Sequence, residues 1–340
     1  MVLSWRTGPP DSTEAQRRIV VCNAEDLPKW EGIGKEIWPN VFPFPGEVVH
    51  WTEYSLPHNE FPTVDEVKAA DLLIMGGSHY SAYEDLAWIH RYAQLIPQYV
   101  ATGTRMLACC FGHQILAKAM GGEVGKNPDG RFVLGVEEVY MDQARLGAKG
   151  LLQPLKAALQ PAGCPEPSVA DPGPPPLPLE PVPEAVTPRP PSSSSREVAV
   201  PTMLQESSSN SSTPHTEGGG AGGGRGKEGD CLCVRMVVSH GDCVRAMPPG
   251  AQLLAWSDST EVEMFCMGSN VLSFQYHPEM HPDLAFTRIL PTMSSSGRLS
   301  TEEAAEAAHR LQHVPPDAQA MAAALLHFVN HGLTHEAPAA

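Results

Sequence analysis

The sequence predicts an α/β three-layer sandwich, and three observations carry that expectation. Short continuous apolar runs at 18–22, 71–75 and 106–109 have the composition of strands buried on both faces of a parallel sheet. Between them stand stretches with apolar residues at helical spacing, so strand and helix alternate. Alternation of this kind, closed by right-handed crossovers, stacks helices on both faces of one sheet. The third observation is a sharp strand-to-helix corner at 105–122, around which the chain is organised.

Taken in order, residues 1–17 are polar with paired prolines and are expected to fray. Residues 18–22 form the first strand. Residues 23–45 begin as a helix at best and then loop, because Pro39, Pro43 and Pro45 interrupt them. A second strand follows at 46–51, a short helix entering at Pro62, and a third strand at 71–75 that runs into Gly76 and Gly77. Apolar positions 89, 92, 96 and 99 or 100 give a helical period over 84–100, with a kink expected at Pro97. Residues 106–109 are the fourth strand, and a helix with Ile115, Leu116, Ala119 and Met120 on one face stops at Gly121 and Gly122. Strand character returns at 136–141, 231–238 and 271–276, with a hairpin-like pair at 253–256 and 262–266. Helices are expected to begin at 284 and to span 317–331.

Between 152 and 230 the pattern stops. Tracts such as Pro174 to Pro176, Ser192 to Ser195 and Gly218 to Gly224 cannot bury enough apolar surface to offset ordering entropy, so the segment reads as a long disordered insertion. Helical potential survives there only at 151–159. The expected organisation is a disordered N-terminus at 1–17, one catalytic domain built from 18–151 and 231–335, and a low-complexity insertion at 152–230. Recruitment of a protein partner by the insertion is the functional alternative to a bare linker.

A net charge of −16 argues against nucleic acid and anionic membrane as partners, since both are polyanions. No apolar run approaches the ~20 residues that span a bilayer. The eight cysteines lack framework spacing and fit a reducing cytosol.

A strand, a one-residue corner and a helix make a nucleophile elbow, with Cys110 at the corner. Small neighbours are needed where strand and helix cross closely, and Ala108 and Gly112 provide them. The helix N-terminus favours thiolate over thiol, and thiolate is the nucleophile. Cys109, the last strand position, reads as a plain core residue. A base for Cys110 stands at the end of the 271–276 strand: His277 can take the thiol proton, and Glu279 can orient the imidazole. Two metal readings fail. Cys231 and Cys233 lack further soft ligands nearby, and Pro278 and Pro282 disfavour a helix that would pair His277 with His281. No metal or cofactor is expected.

Cys-Phe-Gly-His-Gln at 110–114 followed by His-Pro-Glu at 277–279 resembles the class I glutamine amidotransferase family, whose triad is Cys, His and Glu in that order. The stretches Gly77-Ser78-His79 and 83–89 resemble its stand-alone γ-glutamyl peptidase branch in plants. The resemblance implies a flavodoxin-like sandwich and a thiol hydrolase of γ-glutamyl amides. It also implies an oxyanion hole from the Gly77 and Phe111 amides, although read alone Gly76-Gly77 could be only a tight turn. Gln114 matches the residue that contacts the glutamyl group, and Ser78 matches the peptidase loop. His240 and Asp242 match a loop beside the site, where substrate contact and a simple turn are equally open readings. The family usually has glycine at the position of Ala108, and the methyl there is expected to cost rate and not fold. The expected substrate is glutathione or a conjugate of it. The alternatives are a glutaminase feeding a separate synthetase and an inactive binding protein.

Overall fold

The computed structural model describes residues 2–8, 16–159 and 231–334. The disorder expected across the insertion, and any partner role for it, concern residues 160–230, which lie outside the described residues. Among the described residues there are twelve strands, in chain order β1 (Leu3–Thr7), β2 (Gln16–Asn23), β3 (Val48–Ser55), β4 (Leu72–Met75), β5 (Arg105–Cys109), β6 (Glu123–Lys126), β7 (Val133–Asp142), β8 (Cys231–His240), β9 (Asp242–Ala246), β10 (Gln252–Ser257), β11 (Met264–Met267) and β12 (Val271–Phe274).

Ten of these form one sheet in the order β1-β3-β2-β4-β5-β12-β11-β10-β7-β8, and β6 pairs with β9 in a separate ribbon. Its centre is the parallel set β3-β2-β4-β5-β12. Counted along the chain, that is second, first, third, fourth, fifth: the doubly wound order whose direction reverses between β2 and β4. In such sheets the ligand crevice lies outside the carboxyl ends of the strands at that reversal. Antiparallel strands extend the sheet on both sides.

Each face of the sheet carries its own core. On one face, Ile19, Val21, Ile74, Leu107 and Leu272 pack under α1 (Gly34–Val41), α5 (Gln143–Ala148), α6 (Leu152–Ala158) and α10 (Ala318–His331). On the other, Val20, Leu73, Met106 and Val271 pack under α2 (Val64–Lys68), α3 (Ala87–Ala101) and α4 (Phe111–Ala119). That is the expected sandwich. A third apolar cluster joins β7 and β8 to the π-helical turn Ala285–Ile289, which directly follows α7 (Pro282–Leu284), and to α8 (Leu290–Ser295) and α9 (Thr301–His313).

Several boundaries and two elements differ from the sequence reading. Residues 3–7 are not frayed. They pair antiparallel with β3, and Trp5 stacks on Trp51 at 5.8 Å, which covers an otherwise open sheet edge. The described part of the domain runs on to Leu159, because Leu155 on α6 is buried against α10. The unanticipated α9 opens with a capping box in which Ser300 and Glu303 satisfy each other's backbone N–H groups. α2 opens with the same device at Thr63 and Glu66.

Candidate active site

Cys110 follows β5 and is the N-cap of α4. Its backbone sits at φ +51°, ψ −108°, and among the described residues only Asn59 is another non-glycine with positive φ. Such a conformation costs on the order of 1–3 kcal/mol unless the surroundings hold it. Here they do: the Cys110 N–H donates to the Phe274 carbonyl at 3.0 Å, and the Gly112 N–H donates to the Gly76 carbonyl at 3.1 Å. Close packing completes the grip. A β-carbon on Gly112 would lie 2.7 Å from the Met75 carbonyl carbon and 2.8 Å from Met75 Cβ. The elbow therefore has the conformation expected of it, and Gly112 is the small neighbour it requires.

Gly77 sits against this corner. A β-carbon there would be 3.3 Å from His277 Cε1 and 3.6 Å from Cys110 Cβ. Cys110, the Gly77 loop and His277 are thus brought together at the carboxyl ends of β5, β4 and β12. His277 is 5 % exposed, and its Nδ1 lies 2.7 Å from Glu279 Oε1. Its Nε2 is buried without a hydrogen-bond partner. Burial is the strongest single influence and works against the imidazolium, but Glu279 together with the Cys109 and Cys110 sulfurs raises the His277 pKa well above the usual value. The Cys110 sulfur does not face His277 in a hydrogen bond; it points at the Ser239 carbonyl, 3.8 Å away. A nucleophile–base contact of this kind often forms only with substrate bound.

Cys109 does more than the sequence suggested. It is fully buried in the core, as expected, but its sulfur touches the pair. It lies 3.7 Å from His277 Nδ1, 3.5 Å from each carboxylate oxygen of Glu279 and 3.4 Å from the Tyr276 carbonyl. Burial and the adjacent carboxylate raise its pKa well above normal, so it remains a thiol able to donate its proton.

Cys110 opens onto a cavity of about 760 Å³ that is also lined by Gly77, Ser78, Gln114, His240, Asp242, His277 and Glu279. Of the sequence-predicted site residues, Phe111 alone does not line this cavity; its ring packs against Trp88. The Ser78 hydroxyl is committed to the loop itself, donating to the Ala24 carbonyl and accepting from the Tyr80 N–H. Gln114 Nε2 donates to the Asp242 carbonyl and to Gln275 Oε1. The Asp242 carboxylate accepts from Ser81 and Tyr83. His240 is buried and its pKa is pushed down to about 4 by desolvation and by His277, so it is a neutral ring at physiological pH.

Sequence reasoning missed the polar layer behind this wall. Ser273, Gln275 and His277 alternate along the chain and so share a face. Ser273 Oγ lies 2.7 Å from His113 Nδ1, and His113, held neutral by burial, packs on Phe265. Glu263 is wholly buried; desolvation pushes its carboxyl up to about 8, although it accepts a hydrogen bond from Ser257. Protonated in both states below its ordinary pKa, it contributes nothing there. As pH rises from about 4.5 to about 8 the unfolded chain loses the proton and the folded one keeps it, so stability falls. Glu263→Gln is expected to remove that slope, raising the Tm at pH 8 while leaving it nearly unchanged at pH 4.5. Equal shifts at both pH values in thermal melts would contradict the assignment.

No family model matches the chain. It is 24% identical over 241 residues to γ-glutamyl peptidase 4 of Arabidopsis thaliana, covering 69% of this chain and 64% of that one. With γ-glutamyl peptidase 3 of the same plant it shares 21% identity over 299 residues, covering 88% and 89%. The chain thus spans just under two thirds of the length of the first of these relatives. Among solved structures, a glutamine amidotransferase from Thermotoga maritima superposes with a TM-score of 0.54 at 14% identity, covering 93% of this chain and 99% of that one. One from Methylobacillus flagellatus gives 0.54 at 17%, covering 94% and 96%. By sequence the chain is similar to the γ-glutamyl peptidases, and it shares its fold with these solved glutamine amidotransferases.

Proposed function

We propose that the protein is a cysteine-dependent hydrolase of γ-glutamyl amide bonds, acting on glutathione or its conjugates. The observation that carries this reading is the left-handed Cys110 at the head of α4, with Gly77 and the unpartnered Nε2 of His277 beside it. In the proposed reaction, Cys110 turns from the Ser239 carbonyl to face His277 Nε2, and the raised pKa of His277 keeps the proton on the imidazole, so the pair stands as thiolate and imidazolium. The thiolate attacks the γ-carbonyl carbon, and the amides of Gly77 and Phe111 stabilise the oxyanion. Collapse of the tetrahedral adduct breaks the C–N bond as His277 protonates the leaving amine, leaving a γ-glutamyl thioester on Cys110. His277 then takes a proton from water, which attacks the thioester and releases glutamate. Glu279 holds the imidazole in the tautomer and orientation that both steps need.

Cavity size supports an extended substrate over free glutamine. About 760 Å³ is within the range that encloses a drug-sized molecule, and the lining includes the apolar Trp30, Ile33, Ile37, Leu284 and Met293. Such a lining suits a leaving group larger than ammonia. The expected result is a kcat/KM for a glutathione S-conjugate at least tenfold above that for glutamine on the same preparation. A preference for glutamine would turn the reading to a glutaminase, and no hydrolysis of either to a binding protein.

A further inference from the structure

The loop that holds Gly77 is tied down by side chains in a regular register. The last backbone bond between the β2 and β4 segments runs from the Gly76 N–H to the Cys22 carbonyl. Beyond it the backbones part, but the pairing continues through side chains at the same offset of 54 residues. Ser78 Oγ donates to the Ala24 carbonyl at 2.6 Å. Glu25 accepts from the His79 N–H at 3.1 Å and pairs with His79 Nδ1 at 2.7 Å. Tyr80 OH donates to Asp26 at 3.1 Å. Three consecutive residues after β2 thus grip three consecutive residues after Gly77, across the sheet's topological reversal.

Glu25 is the centre of this arrangement. Its side chain is 15% exposed, and besides the two His79 contacts it accepts from the N–H groups of Asp26 and Leu27 at 3.0 and 2.9 Å. Four donors converge on one carboxylate, and two of them come from the loop that follows Gly77. We infer that Glu25 is a positioning residue for the oxyanion hole, fixing the Gly77 N–H through His79. The inference rests on the proposed hydrolase reading for its kinetic consequence, but not for its structural one. Aiming a backbone donor within a few tenths of an ångström matters only when charge develops on the substrate oxygen, so kcat should respond and KM should not.

A glutamine at 25 must present its NH2 group to some of the donors that the carboxylate accepts, whereas aspartate keeps the charge with shorter reach. The test compares Glu25→Gln and Glu25→Asp with the parent enzyme. Expected for Glu25→Gln is a fall in kcat of about tenfold with KM within twofold, and for Glu25→Asp a partial recovery. Inhibition by a γ-glutamyl aldehyde, which forms an oxyanion-bearing adduct with the thiol, should weaken about as much as kcat falls. Amide hydrogen exchange of the 76–80 peptide should quicken in Glu25→Gln whether or not γ-glutamyl amides prove to be the substrate. Unchanged exchange would overturn the inference. A raised KM with unchanged kcat would overturn it too, by making Glu25 a substrate contact, since it also lines the cavity.

Discussion

Cys110→Ala should abolish γ-glutamyl hydrolysis, with a loss of at least ~10⁴-fold in kcat, the scale on which removal of a covalent nucleophile acts. The variant should fold normally, because the Cys110 side chain makes a single hydrogen-bond-range contact, to the Ser239 carbonyl. Cys110→Gly should be equally inactive yet as stable as the parent or more so, since glycine adopts the +51° φ without strain. Cys109→Ala should lose only severalfold: it removes a weak donor from Glu279 but leaves the nucleophile in place. Activity measurements and thermal melts on the four proteins check this together. Substantial turnover in Cys110→Ala, or labelling of Cys109 in place of Cys110 by a thiol-reactive glutamine analogue, would sink the assignment.

Gly112→Ala should have the largest effect on the fold. The added methyl meets the backbone carbonyl of Met75, and neither partner can step aside: Met75 is hydrogen-bonded within the parallel centre of the sheet, and Gly112 is in the first turn of α4. Forcing a methyl into a packed core costs ~1–3 kcal/mol, and more where the obstacle is backbone. We expect a fall in Tm of several degrees at least, or loss of soluble protein, and in any folded fraction a displaced Cys110 with reduced alkylation. A variant with parental Tm would show that α4 can lift from β4 at little cost.

The sheet's centre was legible because strands buried on both faces read as continuous apolar runs, and the elbow because a glycine stands two residues past the corner. The Cys110, His277 and Glu279 positions followed from strand ends, where α/β folds place their chemistry. Other features escaped for physical reasons. β1 carries two exposed and three half-buried residues, so its five residues gave no run, although Trp5 was a signal. α9 is mostly alanine and charge, and only its Ser300/Glu303 cap marks it. Contacts made through space, such as Cys109 with Glu279 or Glu25 with His79, have no local pattern at all. Alternating Ser273, Gln275 and His277 in an apolar strand could have disclosed the polar layer.

The ten-residue ladder between β7 and β8 joins the part of the chain carrying Cys110 to the part carrying His277 and Glu279, with Asp142 opposite Cys231 and Val133 opposite His240. His277 in turn hangs from that ladder, its N–H on the Val237 carbonyl. The two chemical halves are therefore aligned by paired strands: the register that sets thiol against imidazole is held in the sheet by hydrogen bonds between segments far apart in sequence.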